Sequence, residues 1–246
     1  MRILALALVP LLNIFSRFKL PSLPLPSLPQ PSLSPPLTSD LDSCADLLIE
    51  IFFFTDPPPP QTPPPTWSPT ANLSIKSLKR RTSKELQDRY DSINDYMFCS
   101  KDPTTGEVIG FVELRVRNFG IKETLNDGSL RFNSGVYEYF PNSPPSSRLS
   151  FTLTPVITNL IVNPKYRKTG LGSKLVKCCM MKAKSLKFDT VALQVEKSNL
   201  RSIEWYEGLG FEKLYEDKSS RRVEVGVFGE RSVRTTKVTM SKSIKW

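Results

Sequence analysis

Residues 156–186 read VITNLIVNPKYRKTGLGSKLVKCCMMKAKSL, an order of residue types that suits a strand, a turn and a helix. Ile157 to Val162 is short and rich in β-branched residues, as a buried strand is, and Asn163-Pro164 ends it. Two glycines, Gly170 and Gly172, follow Arg167 and Lys168. From there Leu171, Leu175, Cys179, Ala183 and Leu186 recur at helical spacing, with Lys174, Lys177, Lys182, Lys184 and Lys187 on the remaining faces. A glycine-bearing turn between a strand and a helix start is suited to an anion. Glycine lets oxygens approach the backbone, the first N–H groups of the helix point outward, and the helix dipole favours negative charge. Arg167 and Lys168 add side-chain cations of the kind that hold a pyrophosphate. The order Gly172-Ser173-Lys174 is not that of a Walker loop, and a dinucleotide Gly-x-Gly-x-x-Gly would need glycine where Leu175 stands. Taken alone, the fragment is equally satisfied by glycines that merely let strand and helix pack closely.

The next segment separates these alternatives. Val191, Leu193 and Val195 alternate as in a buried strand. Asn199 is placed to cap a helix carrying Leu200, Ile203 and Tyr206, and Gly208 and Gly210 stop it before Phe211. With both segments in view the sequence resembles the GNAT superfamily of N-acetyltransferases. Arg167, Gly170 and Gly172 match that family's pyrophosphate loop. Asn199, Ser202 (usually Ala), Tyr206 and Gly210-Phe211 match its following motif, in the right order and at the right separation.

The resemblance implies an α/β fold with a mixed, mostly antiparallel central sheet, splayed between the family's fourth and fifth strands and flanked by helices. It covers most of residues 39–246. The helix from Ser39 to Phe54 is similar to the family's first, Glu107–Val116 to its third strand, and Val223–Phe228 with Thr235–Met240 to its closing hairpin. The family's first strand has no clear counterpart, because the residues before Ser39 are studded with proline.

The resemblance also implies acetyl-CoA as cosubstrate, with no metal. Leu160, Ile161 and Val162 would pair with its pantetheine arm. Arg167, Lys168, Thr169, Gly170, Leu171, Gly172 and Ser173 would hold its pyrophosphate, and Asn199 would contact it. A neutral amine would attack the thioester directly, and an N–H of Ile161 or Val162 would steady the oxyanion. Tyr206 would touch the cosubstrate and act as general acid. The general base is open. Gln194 stands where bacterial ribosomal-protein acetylases of the family have Glu, which leaves Glu196, Glu113 or a water chain.

Composition bounds the remainder. The chain has 246 residues, a net charge of +10, four cysteines and no histidine. Ser/His and Cys/His dyads are thereby excluded, and mixed zinc sites lose their usual ligand. Two cysteines, Cys178 and Cys179, are adjacent and none shows Cys-x-x-Cys spacing, which suits reduced thiols in an interior. Of 22 prolines, only Pro103, Pro141, Pro144, Pro145, Pro155 and Pro164 lie beyond residue 70. Residues 1–38 carry Arg2, Arg17 and Lys19 with no acid before Asp40, and an apolar run from Ile3 to Phe15 too short to span a membrane. They read as a disordered targeting leader, for a plastid first and a mitochondrion or the secretory route as alternatives. Asn72-Leu73-Ser74 fits the glycosylation triplet of the secretory alternative.

A capping box of Ser39 and Asp42 should open the first helix, and a proline-rich loop over 57–70 follows it. Leu78, Leu86, Tyr90 and Ile93 should share one face of a second helix. Tyr96–Ser100, a Pro103–Gly106 turn and Val108–Val116 should form a hairpin. Residues 118–150 form an insertion too long for a structureless loop, expected as a lid or a disordered insert, with Tyr137, Glu138 and Tyr139 as a possible aromatic and acidic rim. The expected partner is a protein or peptide amine, an N-terminus or a lysine, met by a monomer or weak dimer. No nucleic acid is expected. The alternatives are a small amine such as a polyamine, or a catalytically silent acyl-CoA-binding module. The layout of leader, proline-rich loop and insertion is similar to plastid members of the family in plants and algae.

Overall fold

The computed structural model describes residues 32–55, 69–119, 123–124, 130–132, 135–139, 152–226 and 229–245, all within one unit, Pro31–Trp246. The leader up to residue 31, the proline tract over 57–68 and most of the 118–150 insertion lie outside the described residues.

Order begins before Ser39. Strand β1 (Ser32–Ser34) pairs antiparallel with β2 (Asp95–Lys101), Ser32 opposite Lys101 and Ser34 opposite Cys99. The strand without a sequence counterpart is therefore present, inside the expected leader. It is three residues long, Ser-Leu-Ser, too short for its single polar–apolar–polar alternation to announce it. Helix α1 (Leu41–Glu50) buries Leu41, Cys44, Ala45, Leu47, Leu48 and Ile49. Its entry differs from the expected Ser39/Asp42 box. Asp40, ending a 3-10 turn, accepts from the Leu37 N–H at 2.7 Å, while Asp42 accepts from Ser83 of α2 (Pro69–Tyr90). A π-helical turn, Ile51–Thr55, closes α1, and Pro69 opens α2 at the position where its missing N–H costs nothing. The expected apolar stripe of α2 divides. Leu86 and Tyr90 pack with α1, Leu78 joins Ile49 and Ile75, and Ile93 lies past the helix end in solvent.

Strand β2 turns through Gly106, whose φ of 74° needs no Cβ penalty, into β3 (Val108–Phe119). The described pieces of the insertion are strands β4 (Glu123–Thr124), β5 (Leu130–Phe132) and β6 (Gly135–Tyr139). Then come β7 (Thr152–Val162), α3 (Leu171–Ser185), β8 (Thr190–Glu196) and α4 (Leu200–Gly208). The chain closes with β9 (Glu212–Asp217), β10 (Arg221–Gly226), β11 (Gly229–Arg234) and β12 (Lys237–Ser243).

The large sheet has the order β1-β2-β3-β7-β8-β12-β9-β6-β5-β4, antiparallel except for the β7–β8 pair. Two expectations change here. The closing hairpin is made by β9 and β12, while Val223 lies in a separate two-stranded excursion, β10–β11. And the described part of the insertion extends the sheet, with β6 next to β9 (Glu138 and Tyr139 opposite Glu216 and Tyr215) and β5 and then β4 beyond it. Helices α1 and α2 cover one face of the sheet through Leu41, Leu48, Leu86 and Phe111. The other face carries α3 and α4, with Leu171, Leu175, Cys179 and Ile203 against Val112, Leu114, Leu193 and Met240. Leu200, expected on the apolar face of α4, is exposed, and Ile203 is the helix's buried residue. The excursion reaches α1 and α2, where Val225 packs on Ile49, Ile75 and Leu78 and Arg81 of α2 pairs with Glu230 at 3.0 Å. Among the described residues no helix is long and apolar enough to cross a membrane.

Candidate active site

Strand β7 is paired with β3 along nearly its whole length, but with β8 only at Val156–Ala192 and Ile157–Leu193. Beyond Ile157 the two parallel strands part. The β8-facing edge from Thr158 to Val162 is left without a strand partner, so its backbone groups are available to an extended ligand. A bulge sits at the parting point. Phe111 and Glu113 stand opposite Ile161 and Thr158, so β7 carries one residue more than β3, and Asn159 takes a φ of 54°. Asparagine tolerates this left-handed geometry better than most residues. Past the bulge Leu160 and Val162 turn their backbone groups to the free edge, while Ile161, opposite Phe111 and in step with the Asn163 N–H to Ile109 carbonyl bond, turns its own toward β3.

The turn after β7 builds the second part of the site. Asn163 accepts from the Lys165 N–H at 3.1 Å, and Arg167 Nε donates back to the Val162 carbonyl at 3.2 Å. The Thr169 hydroxyl donates to the Tyr166 carbonyl at 2.7 Å, while the Tyr166 hydroxyl is bound by Asp102. Thus anchored, the loop takes positive φ at Lys168 (62°) and Gly170 (82°). Such alternation turns successive N–H groups toward one side, forming a nest for an anion. Among the described residues no acceptor binds the N–H groups of Thr169, Gly170, Leu171, Gly172 or Ser173, the last three being the opening donors of α3. A Cβ on Gly170 would meet open space, whereas one on Gly172 would press the Trp205 indole at 3.3 Å.

Helix α4 supplies the third part. The Asn199 side-chain oxygen accepts from the Ser202 N–H at 3.1 Å and caps the helix, which leaves its amide NH₂ for a ligand. Tyr206 is half-buried, its ring edge-on to Trp205 (4.9 Å between centroids) and Phe211 (5.7 Å). Burial, with the nearby Cys179 thiol adding to it, pushes the phenol well above its ordinary value, so it holds its proton at neutral pH. Trp205 was not among the expected site residues. Its indole lies between the Tyr206 ring and Gly172 of the glycine loop.

The two open candidates for a base have different surroundings. Glu196, at the end of β8, accepts from Arg222 Nη1 at 2.6 Å. Arg222 also holds Glu224, which Arg231 grips from its other side at 2.7 Å. Glu196 is thus tied into an ion-pair chain. Glu113 on β3 is fully buried, and its Oε1 accepts from Arg89 at 3.2 Å and from Asn159 Nδ2 at 3.1 Å. Gln194, in the position of the bacterial acid, donates to the Thr239 hydroxyl at 3.2 Å.

A pantetheine-like arm fits the free β7 edge, and a pyrophosphate fits the unclaimed N–H groups at the head of α3. The model for the acetyltransferase (GNAT) family matches residues 65–211. The chain belongs to the GNAT acetyltransferase family. Solved structures agree on the fold. The ribosomal-protein-S18-alanine N-acetyltransferase of Escherichia coli superposes with a TM-score of 0.50 at 16% identity, over 88% of this chain and 96% of that one. PaiA N-acetyltransferase of Thermoplasma acidophilum, in complex with coenzyme A, gives 0.52 at 13% identity over 87% and 99%. NAA60 of Arabidopsis thaliana, in complex with acetyl-CoA, gives 0.55 at 15% identity over 87% and 99%. No curated protein sequence matches the chain. In GNAT terms, β7 and β8 are the fourth and fifth strands, and the parting between them is the splay the family resemblance implies.

Proposed function

We propose that this GNAT acetyltransferase moves an acetyl group from acetyl-CoA to a primary amine of a protein, an N-terminal α-amine or a lysine ε-amine. The observation that carries the proposal is the convergence of three features on one opening. These are the unpaired β7 edge beyond Ile157, the open N–H groups from Thr169 to Ser173, and the protonated Tyr206. Leu160, Ile161 and Val162 would orient the pantetheine arm along the edge. Arg167, Lys168 and the loop from Thr169 to Ser173 would take the pyrophosphate, and Asn199 would offer its amide. Of the two N–H groups considered for the oxyanion, the register turns that of Ile161 to β3, so that of Val162 would face the acetyl oxygen as negative charge develops there. Tyr206 would hand its proton to the departing thiolate.

A protein substrate is favoured over a polyamine by the state of the carboxylates around α2 and the β10–β11 excursion. Glu113, Glu196, Glu216 and Glu224 are each already met by Arg89, Arg222, Lys197, or Arg222 with Arg231. Countered in this way, they do not add up to a pocket for a polycation. A plastid is the proposed destination, supported by the composition of residues 1–38 and by the layout shared with plastid members. Fusing residues 1–39 to a fluorescent reporter tests this, and a cytosolic signal rejects it.

The purified chain, acetyl-CoA and a peptide library offering free N-termini and internal lysines test the reaction, with mass spectrometry reporting which amines gain an acetyl group. Acetylated peptides support the proposal and divide α- from ε-amine preference. Transfer to spermidine or free amino acids but not to peptides would replace the protein substrate with a small amine.

A further inference from the structure

Three of the buried polar atoms without a partner gather at the apex of the splay. They are Oε2 of Glu113, Nε of Arg89 and Oγ1 of Thr158. Their proximity follows from the sheet. Glu113 and Thr158 stand directly opposite across β3 and β7, so their side chains share one face. Arg89, reaching from α2, is already bonded to the other oxygen of Glu113. The face is the one covered by α1 and α2, because Ile157, the preceding residue of β7, packs with α3 on the other side. Thr158 is also the first β7 residue past the last pair with β8. An acceptor, a donor and a hydroxyl are thus left unmatched beside the opening at which an amine would meet a thioester.

We propose that Glu113, Arg89 and Thr158 hold a water molecule at this apex, and that Glu113 Oε2 takes through it the proton the substrate amine must lose. Water matches the unmet set. It accepts from Arg89 Nε–H or the Thr158 hydroxyl and donates to Glu113 Oε2. Arg89 supplies the counter-charge that lets the carboxylate be buried, and Arg89 and Asn159, the latter in its left-handed bulge, both bond Oε1, so Oε2 is the carboxylate oxygen left to a water. The other titratable groups near Glu113 are the thiols of Cys44 on α1 and Cys179 on α3, both raised above their ordinary range chiefly by burial and also by the Glu113 charge, so both stay protonated.

The proton balance closes. The ammonium gives a proton to the water as the water gives one to Glu113, leaving a neutral nitrogen and a carboxylic acid. The C–N bond forms, the C–S bond breaks, and the thiolate takes the Tyr206 proton. Nitrogen's second departing proton restores Tyr206, and Glu113 returns its own to solvent. This assignment rests on acetyl transfer to an amine as proposed above.

The test has a structural arm and a kinetic arm. A crystal structure of the full chain with coenzyme A should show a water within hydrogen-bond distance of Glu113 Oε2 and of Arg89 Nε or Thr158 Oγ1. A dry apex overturns the site. Rates with a panel of peptides, lysine and spermidine should show Glu113→Gln lowering kcat/KM about a hundredfold at neutral pH. The loss should shrink as pH rises toward the amine's own ionisation, with acetyl-CoA affinity unchanged. Thr158→Val, which keeps the carboxylate and its ion pair, should show a smaller loss of the same pH shape and covers the case in which Glu113→Gln fails to fold. Wild-type pH profiles in both variants overturn the proton role. If the wild-type chain acetylates nothing in the panel, the acetyltransfer proposal falls and takes the proton role with it. The crystal water then decides the site alone.

Discussion

Tyr206 shows what one residue contributes through its surroundings. Its ring is packed by Trp205 and Phe211, which fixes the side chain, and burial raises the phenol above its ordinary value, so it gives up its proton only to a strong base such as a departing thiolate. Tyr206→Phe keeps that packing and removes the proton. Turnover should fall about a hundredfold or more, while the acetyl-CoA dissociation constant, measured by calorimetry, stays within about twofold, a change of well under 1 kcal/mol. Equal losses in both would make Tyr206 a packing residue. Gly170 is governed by backbone geometry. At φ 82° with open space around it, Gly170→Ala meets no clash yet pays about 1–2 kcal/mol for the left-handed conformation. The loop should relax out of its nest, and weakened acetyl-CoA binding at nearly unchanged folding stability is the expected outcome. Gly172 is constrained differently, by the indole 3.3 Å from where a Cβ would stand.

At the scale of elements, β1 and the β7 bulge carry the consequences. Strand β1 is three residues long but covers the outer edge of β2. Lys101, at that edge, is bonded to Asp40 at 2.7 Å. A chain beginning at residue 31 should therefore melt higher than one beginning at residue 39, since the shorter chain exposes the β2 edge. Equal melting temperatures by calorimetry would show β1 to be dispensable. The bulge changes which side chains share a face. Without it, strict alternation would put Thr158 and Ile161 on opposite sides of β7. With it, Thr158 shares a face with Glu113, and Ile161 packs into the α1/α2 cluster. Three residues after the bulge the strand ends, and the anion loop starts from a position set by that extra residue.

For the whole molecule, charge pairs join distant parts of the chain and set its response to acid. Burial opposes the charge of Glu224, but hydrogen bonds from Arg222 and Arg231 outweigh it and hold the carboxyl below the usual range. Asp40 is similar, with burial opposed by Lys101 and by the Leu37 N–H. Both folded values lie below the unfolded ones. Their stabilisation is therefore present above the ordinary carboxylate range and is lost as pH falls through the depressed folded values. The melting temperature should decline below that range, and Glu224→Gln should lower it at neutral pH while flattening the acid decline. An acid decline of wild-type steepness in the variant would place the titrating groups elsewhere. Among the described residues, the same network ties Glu196 at the end of β8 to the β10–β11 excursion, which itself rests on α2.

The strand before the anion loop, the glycine turn, the amphipathic α3 and the Asn199-to-Phe211 segment were legible in the sequence because each is local. Their periodicity, capping and turn chemistry lie within a few residues of one another. The same locality explains the hairpin through Gly106 and the family resemblance. Strand β9 was not legible, because its Glu-Lys-Leu-Tyr-Glu-Asp composition is that of a surface, and its charges are buried only where Lys197 and the turn serines Ser219 and Ser220 meet them. The excursion reads as a closing hairpin from sequence because its alternation is genuine and only pairing partners distinguish it from β9 with β12. Glu113 could be named from sequence, but its surroundings could not. Arg89 comes from a helix that reaches it across the sheet face, Thr158 and Asn159 come from the neighbouring strand, and their register depends on one inserted residue. Spacing along the chain marked out the residues proposed to hold the cosubstrate. Sheet register and helix packing, which join residues far apart in the chain, decided which carboxylate is left with an open oxygen.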